Sequence, residues 1–410
     1  MRNQVTVAGG GASGLMAAIQ AARTGADVTL LEHMDRVGKK ILSTGNGKCN
    51  FTNLFQDPSC YRCSQPDFPE TVLAYFDVPR TLEFFKELGI YPKIRNGYVY
   101  PNSEQAASVL DGLRMEADRL GITIRTSCHV ERIRLSKAGV FHLETSQGML
   151  KAQKVILAAG SKAAPSTGSD GSGYDLAKAL GHSVLTPLPA LVQLRCREKE
   201  YKQLAGIRTE ARLHLRIDGR ECVSQDGELQ LTDYGISGIP TFQISRFASM
   251  ALAQGQKVSV VIDFLPGMSE KETRHYLKER QTHLGMRNGE DFLTGLINKK
   301  LALVLMKQAG FALKEPVKQA GQANWERLVS GLKAWETVVT AANPFTNAQV
   351  CCGGVDTREI HPDTMESKKV KGLYLVGEMV DVDGICGGYN LQWAWSSGAA
   401  AGIHAGRGSL

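Results

Sequence analysis

"QVTVAGGGASGLMAAIQAARTGADVTLLE", residues 4–32, decides the fold. Val5 and Val7 belong to a short apolar strand, Gly9, Gly11 and Gly14 follow as G-x-G-x-x-G, and Leu15, Ala18, Ile19 and Ala22 then recur at helical spacing. Thr29 to Leu31 form a second strand, which ends at Glu32. Strand, tight turn, helix, strand and acid in this order predict a dinucleotide-binding unit. Gly9 permits the turn. Gly11 leaves the backbone open to a pyrophosphate, with Ala12 and Ser13 at the positive end of the helix, and Gly14 lets helix and strand pack closely. Glu32 is placed to accept hydrogen bonds from an adenosine ribose.

This unit serves FAD and NAD alike, so the choice between them rests on the loops and strands further along the chain. "RVGKKILSTGNGKCNFTN", residues 36–53, carries Lys40 and a second glycine-rich loop with Gly45, Gly47, Cys49 and Asn50, whose amides suit phosphate or flavin oxygens. "GITIRTSCHVERIRL", residues 121–135, predicts strands and brings Val130 toward the nucleotide. "VILAAG", residues 155–160, is an apolar strand that presents bare backbone at Ala159 and Gly160, as in FAD proteins of the glutathione-reductase type. No later strand leads into a second G-x-G-x-x-G, and "GSDGSG" at 168–173 has its glycines in the wrong order. A dedicated nicotinamide domain is therefore not expected, and FAD is the predicted cofactor.

"KGLYLVGEMVDVDGICGGYNLQWAWSSGAAAG", residues 371–402, closes the chain with a strand at Leu373 to Val376, then Gly377, Glu378 and Asp383, then Gly387, Gly388, Tyr389, Asn390 and Leu391. The acids are placed to accept ribityl hydroxyls. A helix starting near Leu391, with Asn390 as N-cap, would aim its positive end at the flavin pyrimidine. The long uncharged run invites a membrane reading, but Asn390, Gln392, Ser396 and Ser397 interrupt it and no positive flank precedes it. A buried, soluble helix is expected.

Composition supports this reading. The 410 residues suffice for two or three domains, and 43% hydrophobic content fills ordinary cores. The net charge of +7 is scattered, which argues against nucleic acid as a partner. The chain enters a strand by Gln4, leaving no room for a signal peptide, and nine irregularly spaced cysteines suit reduced thiols; a cytoplasmic protein is expected. Cys60 and Cys63 form a lone CxxC with no second pair at zinc-finger spacing, so no metal site is expected.

The pieces "GGGASGLMAA", "GKKILSTGNGKCNFTN", "YVYPNSEQAASVLDGL", "TGSDGSGYDLAKALGH", "LTDYGISGIP" and "LVGEMVDVDGICGGYNLQWAWSSG" span nearly the whole chain in order. In them the sequence resembles the BaiN-like flavoproteins, also called aminoacetone-oxidase-family FAD-binding enzymes. Two positions depart from the family: Lys48 stands where Arg is usual and Cys386 where Thr is frequent. A lysine keeps the charge but not the bidentate fork.

The resemblance implies an α/β fold, in which a Rossmann-type, glutathione-reductase-like FAD domain carries an inserted β-barrel-like domain and a small helical domain. The expected boundaries are 1–189 and 353–410 for the FAD domain, 190–267 and 334–352 for the β-rich domain, and 268–333 for the helical insert. Strand signals in "ARLHLRIDG" and "KVSVVIDFLP", and a helix start at Ser269, agree with this division. "TDYGISGIP", residues 232–240, is read either as the mouth of the substrate pocket or as a turn between elements.

The expected activity is FAD-dependent reduction, driven by NADH or NADPH, of a conjugated carbon–carbon double bond in a hydrophobic ketone; the resemblance alone implies a steroid or bile acid. Tyr389, Cys386, Lys48 and Asn50 are the candidates for orienting the carbonyl or supplying a proton. An amine oxidase that reduces oxygen to peroxide is the alternative, and a flavin-dependent nucleic-acid-modifying protein is a third reading.

Overall fold

The structure is a computed structural model that describes residues 3–407. The chain divides into two compact units. One comprises the described residues up to Leu188 and from Gln349 onward; the other is Pro189–Ala348.

The first unit is built on a five-stranded parallel sheet in the order Leu373–Leu375, Lys154–Leu157, Gln4–Ala8, Asp27–Leu31, Thr123–Arg125. Val5, Val7, Leu30, Val155, Ile156, Leu373 and Leu375 are buried, as a parallel sheet covered on both faces requires. An antiparallel meander of Val130–Leu135, Phe141–Thr145 and Gly148–Ala152 leads from the outer strand to Lys154–Leu157. This is the Rossmann-type arrangement expected from the first fingerprint.

The closing segment is a helix, Tyr389–Gly406, packed along the glycine-fingerprint helix Ala12–Arg23. Glycines four residues apart make the approach possible. A β-carbon on Gly398 would lie 2.4 Å from the Ser13 carbonyl oxygen, on Gly402 2.3 Å from that of Ala17, and on Gly406 2.7 Å from that of Ala21. Gln392, Trp393, Trp395, Ser396 and Ser397 of the helix all make buried hydrogen bonds. Gln392 accepts from Thr52 at 2.6 Å and donates to Thr81 at 2.9 Å, Trp393 Nε1 donates to the Gly377 carbonyl at 3.0 Å, and Trp395 Nε1 donates to that of Phe51 at 2.8 Å. A helix so bonded on every side belongs inside a domain. Among the described residues no helix is long and apolar enough to cross a membrane.

The start of this helix differs from expectation. Its N-cap is Gly388, at φ +95°, and Asn390 is already the second helical residue, with no capping bond from its side chain to the helix. Two successive glycines with positive φ turn the chain more tightly than an extended Asn cap would. Asn390 is thereby free to clamp the preceding loop, donating to the Gly384 carbonyl at 2.9 Å and accepting the Gly384 N–H at 2.8 Å.

The second unit holds a closed barrel of six strands in the order Leu194–Cys196, Gly235–Gly238, Arg220–Leu231, Arg208–Ile217, Val258–Asp263, Trp335–Ala342. Between its last two strands in sequence lie three helices, Glu270–Leu284, Lys299–Gln308 and Gln322–Lys333, whose buried residues, Phe292, Leu305 and Leu328 among them, belong to one continuous hydrophobic core with the barrel's Leu213, Val260 and Trp335. The first of these opens with a capping box: Ser269 Oγ accepts the Glu272 N–H at 3.2 Å while Glu272 accepts the Ser269 N–H at 2.7 Å. Residues 232–240 are more than a connecting turn. They include barrel strand Gly235–Gly238, which runs directly into helix Ile239–Ala253 with Pro240 in its first turn.

A buried relay in the first unit makes its stability depend on pH. His182 Nδ1 lies 3.1 Å from Glu359 Oε2 and Nε2 lies 2.8 Å from Ser367 Oγ. Burial pushes the His182 pKa below its ordinary value, and Glu359 only partly offsets this. The unfolded chain therefore takes up a proton near pH 6.5 that the folded chain refuses until lower pH, so stability is lost as pH falls from about 6.5 through the folded value. The melting temperature is expected to drop between pH 7 and pH 5. His182→Gln should flatten that slope in calorimetric scans at the two pH values.

Candidate functional site

The three fingerprint glycines occupy different environments. A β-carbon on Gly9, which lies at φ +111°, would sit 2.3 Å from the Ala158 carbonyl oxygen, and one on Gly14 would sit 1.9 Å from that of Gly9. One on Gly11 would meet nothing within 4 Å. Gly9 and Gly14 are consumed by packing, whereas Gly11 faces open space at the N-terminus of helix Ala12–Arg23, where backbone N–H groups favour an anion. Glu32 is buried at the end of its strand; Oε2 accepts the Gly10 N–H and Oε1 the Met34 N–H, each at 2.8 Å. Each carboxylate oxygen can accept a second bond, so capacity remains for ribose hydroxyls. Val130 begins the meander strand just beyond Cys128, whose N–H bonds the Glu32 carbonyl at 2.9 Å. These residues fit the ADP half of FAD.

A second group gathers around Glu378. Lys40 Nζ lies 2.5 Å from Glu378 Oε2 and Ser161 Oγ donates to the same oxygen at 3.1 Å. Lys40 also reaches the Ala163 carbonyl at 3.3 Å. The chain after Ala159 turns at Gly160, φ +73°, and the Ser161 N–H is held by Ser169 Oγ at 3.0 Å. Gly377, φ +71°, lies against Ser13: a β-carbon would be 2.3 Å from its Oγ. Glu378 is thus brought close to the fingerprint helix with one cation and one hydroxyl on a single oxygen. Asp383 is buried in strand Val382–Gly384, which pairs antiparallel with Tyr61–Cys63.

The third group is the closing turn. Gly388 packs on the second glycine loop: a β-carbon there would lie 2.7 Å from the Thr52 carbonyl oxygen and 3.0 Å from Asn50 Oδ1. Asn50 accepts the Val99 N–H at 3.2 Å, and the loop before it reaches this position through Gly45, Asn46, Gly47 and Cys49, all with positive φ. Tyr389 is buried, close to Cys60, and edge-on to Tyr61 at 5.8 Å between ring centres. Burial, then Cys60, pushes its hydroxyl far above the usual tyrosine range. Burial also raises the thiols of Cys49 and Cys386 to about 12, so both are neutral at physiological pH. Leu391 is half-buried in the first turn of the helix.

Of the residues singled out from sequence, Asn50, Gly388 and Tyr389 come together, as do Lys40 and Glu378. Lys48 turns elsewhere: its ammonium lies 3.9 Å from Glu104 Oε2, half-exposed. Several contributors are not marked as site residues by the sequence. Ser161 lies outside the quoted motifs, and Ser169 and Tyr98, whose ring lies against Gly387, sit inside stretches that carry the resemblance without any sign of a site role. Asn53 is visible in the sequence only as the end of the glycine loop; its Nδ2 donates to the Gly387 carbonyl at 3.0 Å.

The chain is 46% identical over 406 residues, 98% of each protein, to a 3-dehydro-bile acid delta(4,6)-reductase of Clostridium scindens. It is 32% identical over 403 residues, 97% of each, to a ribosomal RNA dihydrouridine synthase of Haemophilus influenzae. An Escherichia coli protein of that name is 30% identical over 400 residues, covering 97% of this chain and 96% of its own. The HI0933-like protein Rossmann domain family matches residues 3–404, from the first strand through the closing helix, and this chain belongs to that family.

Proposed function

We propose that this protein is an FAD-dependent oxidoreductase that reduces a carbon–carbon double bond conjugated to a carbonyl, in a hydrophobic ketone of steroid or bile-acid type, with NADH or NADPH as transient electron donor. The observation that carries the reading is the closing turn, where a helix N-terminus, Asn50 and a firmly protonated Tyr389 meet. Extensive identity to a bile-acid reductase supports the substrate class. Bound FAD supplies the hydride-transferring chemistry. The chain's own part is to hold the ADP half at Gly11 and Glu32, the linking chain at Lys40 and Glu378, and the flavin ring at Gly388. The positive end of helix Tyr389–Gly406 favours negative charge beside it. Tyr389 keeps its proton at neutral pH and is the candidate donor to substrate. All nine cysteines are free thiols, which fits the cytoplasmic setting included in this reading.

The test is anaerobic mixing of the yellow protein with NADH and, separately, NADPH while flavin absorbance is followed, then addition of a 3-oxo-Δ4 steroid. Bleaching followed by recovery of colour is expected. No bleaching, together with peroxide production from an amine such as aminoacetone, would replace this reading with the amine oxidase. The two dihydrouridine-synthase relatives favour a second assay, reduction of uridine in ribosomal RNA, which addresses the same bond type in a different substrate. Tyr389→Phe is expected to retain FAD and to lower kcat about 100-fold, the low end for loss of a general acid. Unchanged kcat would remove Tyr389 from the proton path.

A further inference from the structure

A small antiparallel sheet flanks the closing turn, with strands Thr52–Asn53, Tyr98–Pro101 and Pro92–Arg95 in that order. Directly paired residues share a face. Thr52, Val99 and Ile94 align on one face, where Thr52 and Val99 are fully buried. Asn53, Tyr98 and Arg95 align on the other, as do Tyr100 and Lys93 one pair further along. That second face borders the candidate site: a β-carbon on Gly387 would lie 2.9 Å from the Tyr98 ring and one on Gly45 3.7 Å from the Tyr100 ring.

The edge of this face is positively charged. Arg95 Nη2 lies 2.7 Å and Lys93 Nζ 3.2 Å from Glu104 Oε1, and Lys48 Nζ lies 3.9 Å from Oε2. Three cations share one carboxylate, which leaves two positive charges in excess, and all three side chains are a third or more exposed. Glu104 itself adopts φ +53°, a left-handed conformation uncommon for a residue with a side chain. It spaces cations that would otherwise repel one another. The neighbouring rings of Tyr98 and Tyr100, both half-buried, offer a flat surface with polar tips.

Resting on the proposed reductase activity, we infer that this face selects substrates bearing a carboxylate: the apolar body lies across Tyr98 and Tyr100, while Arg95 and Lys93, with Lys48 behind them, hold the acid group. The cations cluster around one point at the edge of one small sheet. A nucleic-acid strand, by contrast, is tracked by a groove of charges spread along its backbone. The cluster therefore favours a small acid over a phosphodiester chain. Arg95 supplies the planar donor fork suited to a carboxylate.

The experiment compares, on the FAD holoenzyme, a 3-oxo-Δ4 steroid with a side-chain carboxylate and its methyl ester, by kcat/KM and by equilibrium titration of flavin absorbance. The acid is expected to be preferred at least tenfold, with the preference shrinking in high salt. Arg95→Gln combined with Lys93→Gln should lower the acid-to-ester ratio about tenfold. Glu104→Gln should raise it, a change of opposite sign that loss of folding cannot mimic. Lys151→Gln, which removes an exposed cation from a different sheet, should leave the ratio in place. A ratio near one in the unaltered protein, or a ratio indifferent to Arg95, Lys93 and Glu104, overturns the inference. Charge-dependent binding of the acid without reduction of either steroid supports the carboxylate site and sinks the proposed reaction instead. Reduction of uridine in an RNA that displaces the acid overturns the assignment of this face to small acids.

Discussion

Replacing Gly398 and Gly402 together by alanine is expected to lower the melting temperature by roughly 10 °C and to strip FAD from the protein. The added β-carbons would lie 2.4 and 2.3 Å from the carbonyl oxygens of Ser13 and Ala17. Real β-carbons do not approach that closely, and the obstacles are backbone atoms of a helix anchored to the central strand. No rotamer change relieves the overlap. The closing helix must move away by an ångström or more, and overpacking of this kind costs about 1–3 kcal/mol per site. The sum for two sites, at roughly 2–4 °C per kcal/mol in a domain of this size, gives the expected shift. Function suffers separately, because the displaced helix carries Gly388 and Tyr389 at one end and bonds Gly377 through Trp393 and Ser397. Alanine is a better helix former than glycine, so an unchanged or higher melting temperature would show that the two helices do not depend on this contact. Circular dichroism melts and the flavin-to-protein absorbance ratio read the two effects independently.

The chain announces its Rossmann unit because a phosphate-binding turn needs glycine at fixed offsets and a parallel strand needs unbroken apolar residues; both requirements are local. The same holds for Gly377-Glu378 and for the two glycines that open the last helix. Pairing across the chain is not legible in this way. Lys40 meets Glu378 at a separation of 338 residues, and Thr52 meets Gln392 at 340. Asn is a favoured cap residue, which points to Asn390 as the helix start, but Gly388 takes that place and Asn390 binds Gly384 instead. The position of Lys48 in a glycine loop points to the flavin, yet the left-handed turn at Cys49 and the carboxylate of Glu104 hold it at the surface edge. Tyr98 opens one of the stretches that carry the resemblance, yet nothing in that stretch marks a site role, since an aromatic residue in a short strand is ordinary until its neighbour proves to be Gly387.

Gly11→Ala is expected to leave the apoprotein folded, with a melting temperature within a few degrees of the parent, and yet to weaken FAD binding about 100-fold. The fingerprint treats its three glycines as a unit, but the structure separates them. Alanine at Gly9 or Gly14 drives a methyl into a carbonyl oxygen at 2.3 or 1.9 Å, and the positive φ of Gly9 adds strain, so both variants should fail as proteins before they fail as flavoproteins. At Gly11 the backbone has an extended conformation, φ −78°, that alanine adopts freely, and the methyl would project into open space. That space is where backbone amides at the start of helix Ala12–Arg23 are available to an anion. A methyl there holds a pyrophosphate away from them, and hydrogen bonds to a charged group are worth about 1.5–3 kcal/mol each. Loss of the equivalent of one or two such bonds accounts for the expected factor. Isothermal titration of refolded apoprotein with FAD, beside thermal melts without it, separates the two quantities. Tight FAD binding by Gly11→Ala would mean that the anion does not lie over Gly11, and the ADP half would then have to be placed by Glu32 without the helix N-terminus.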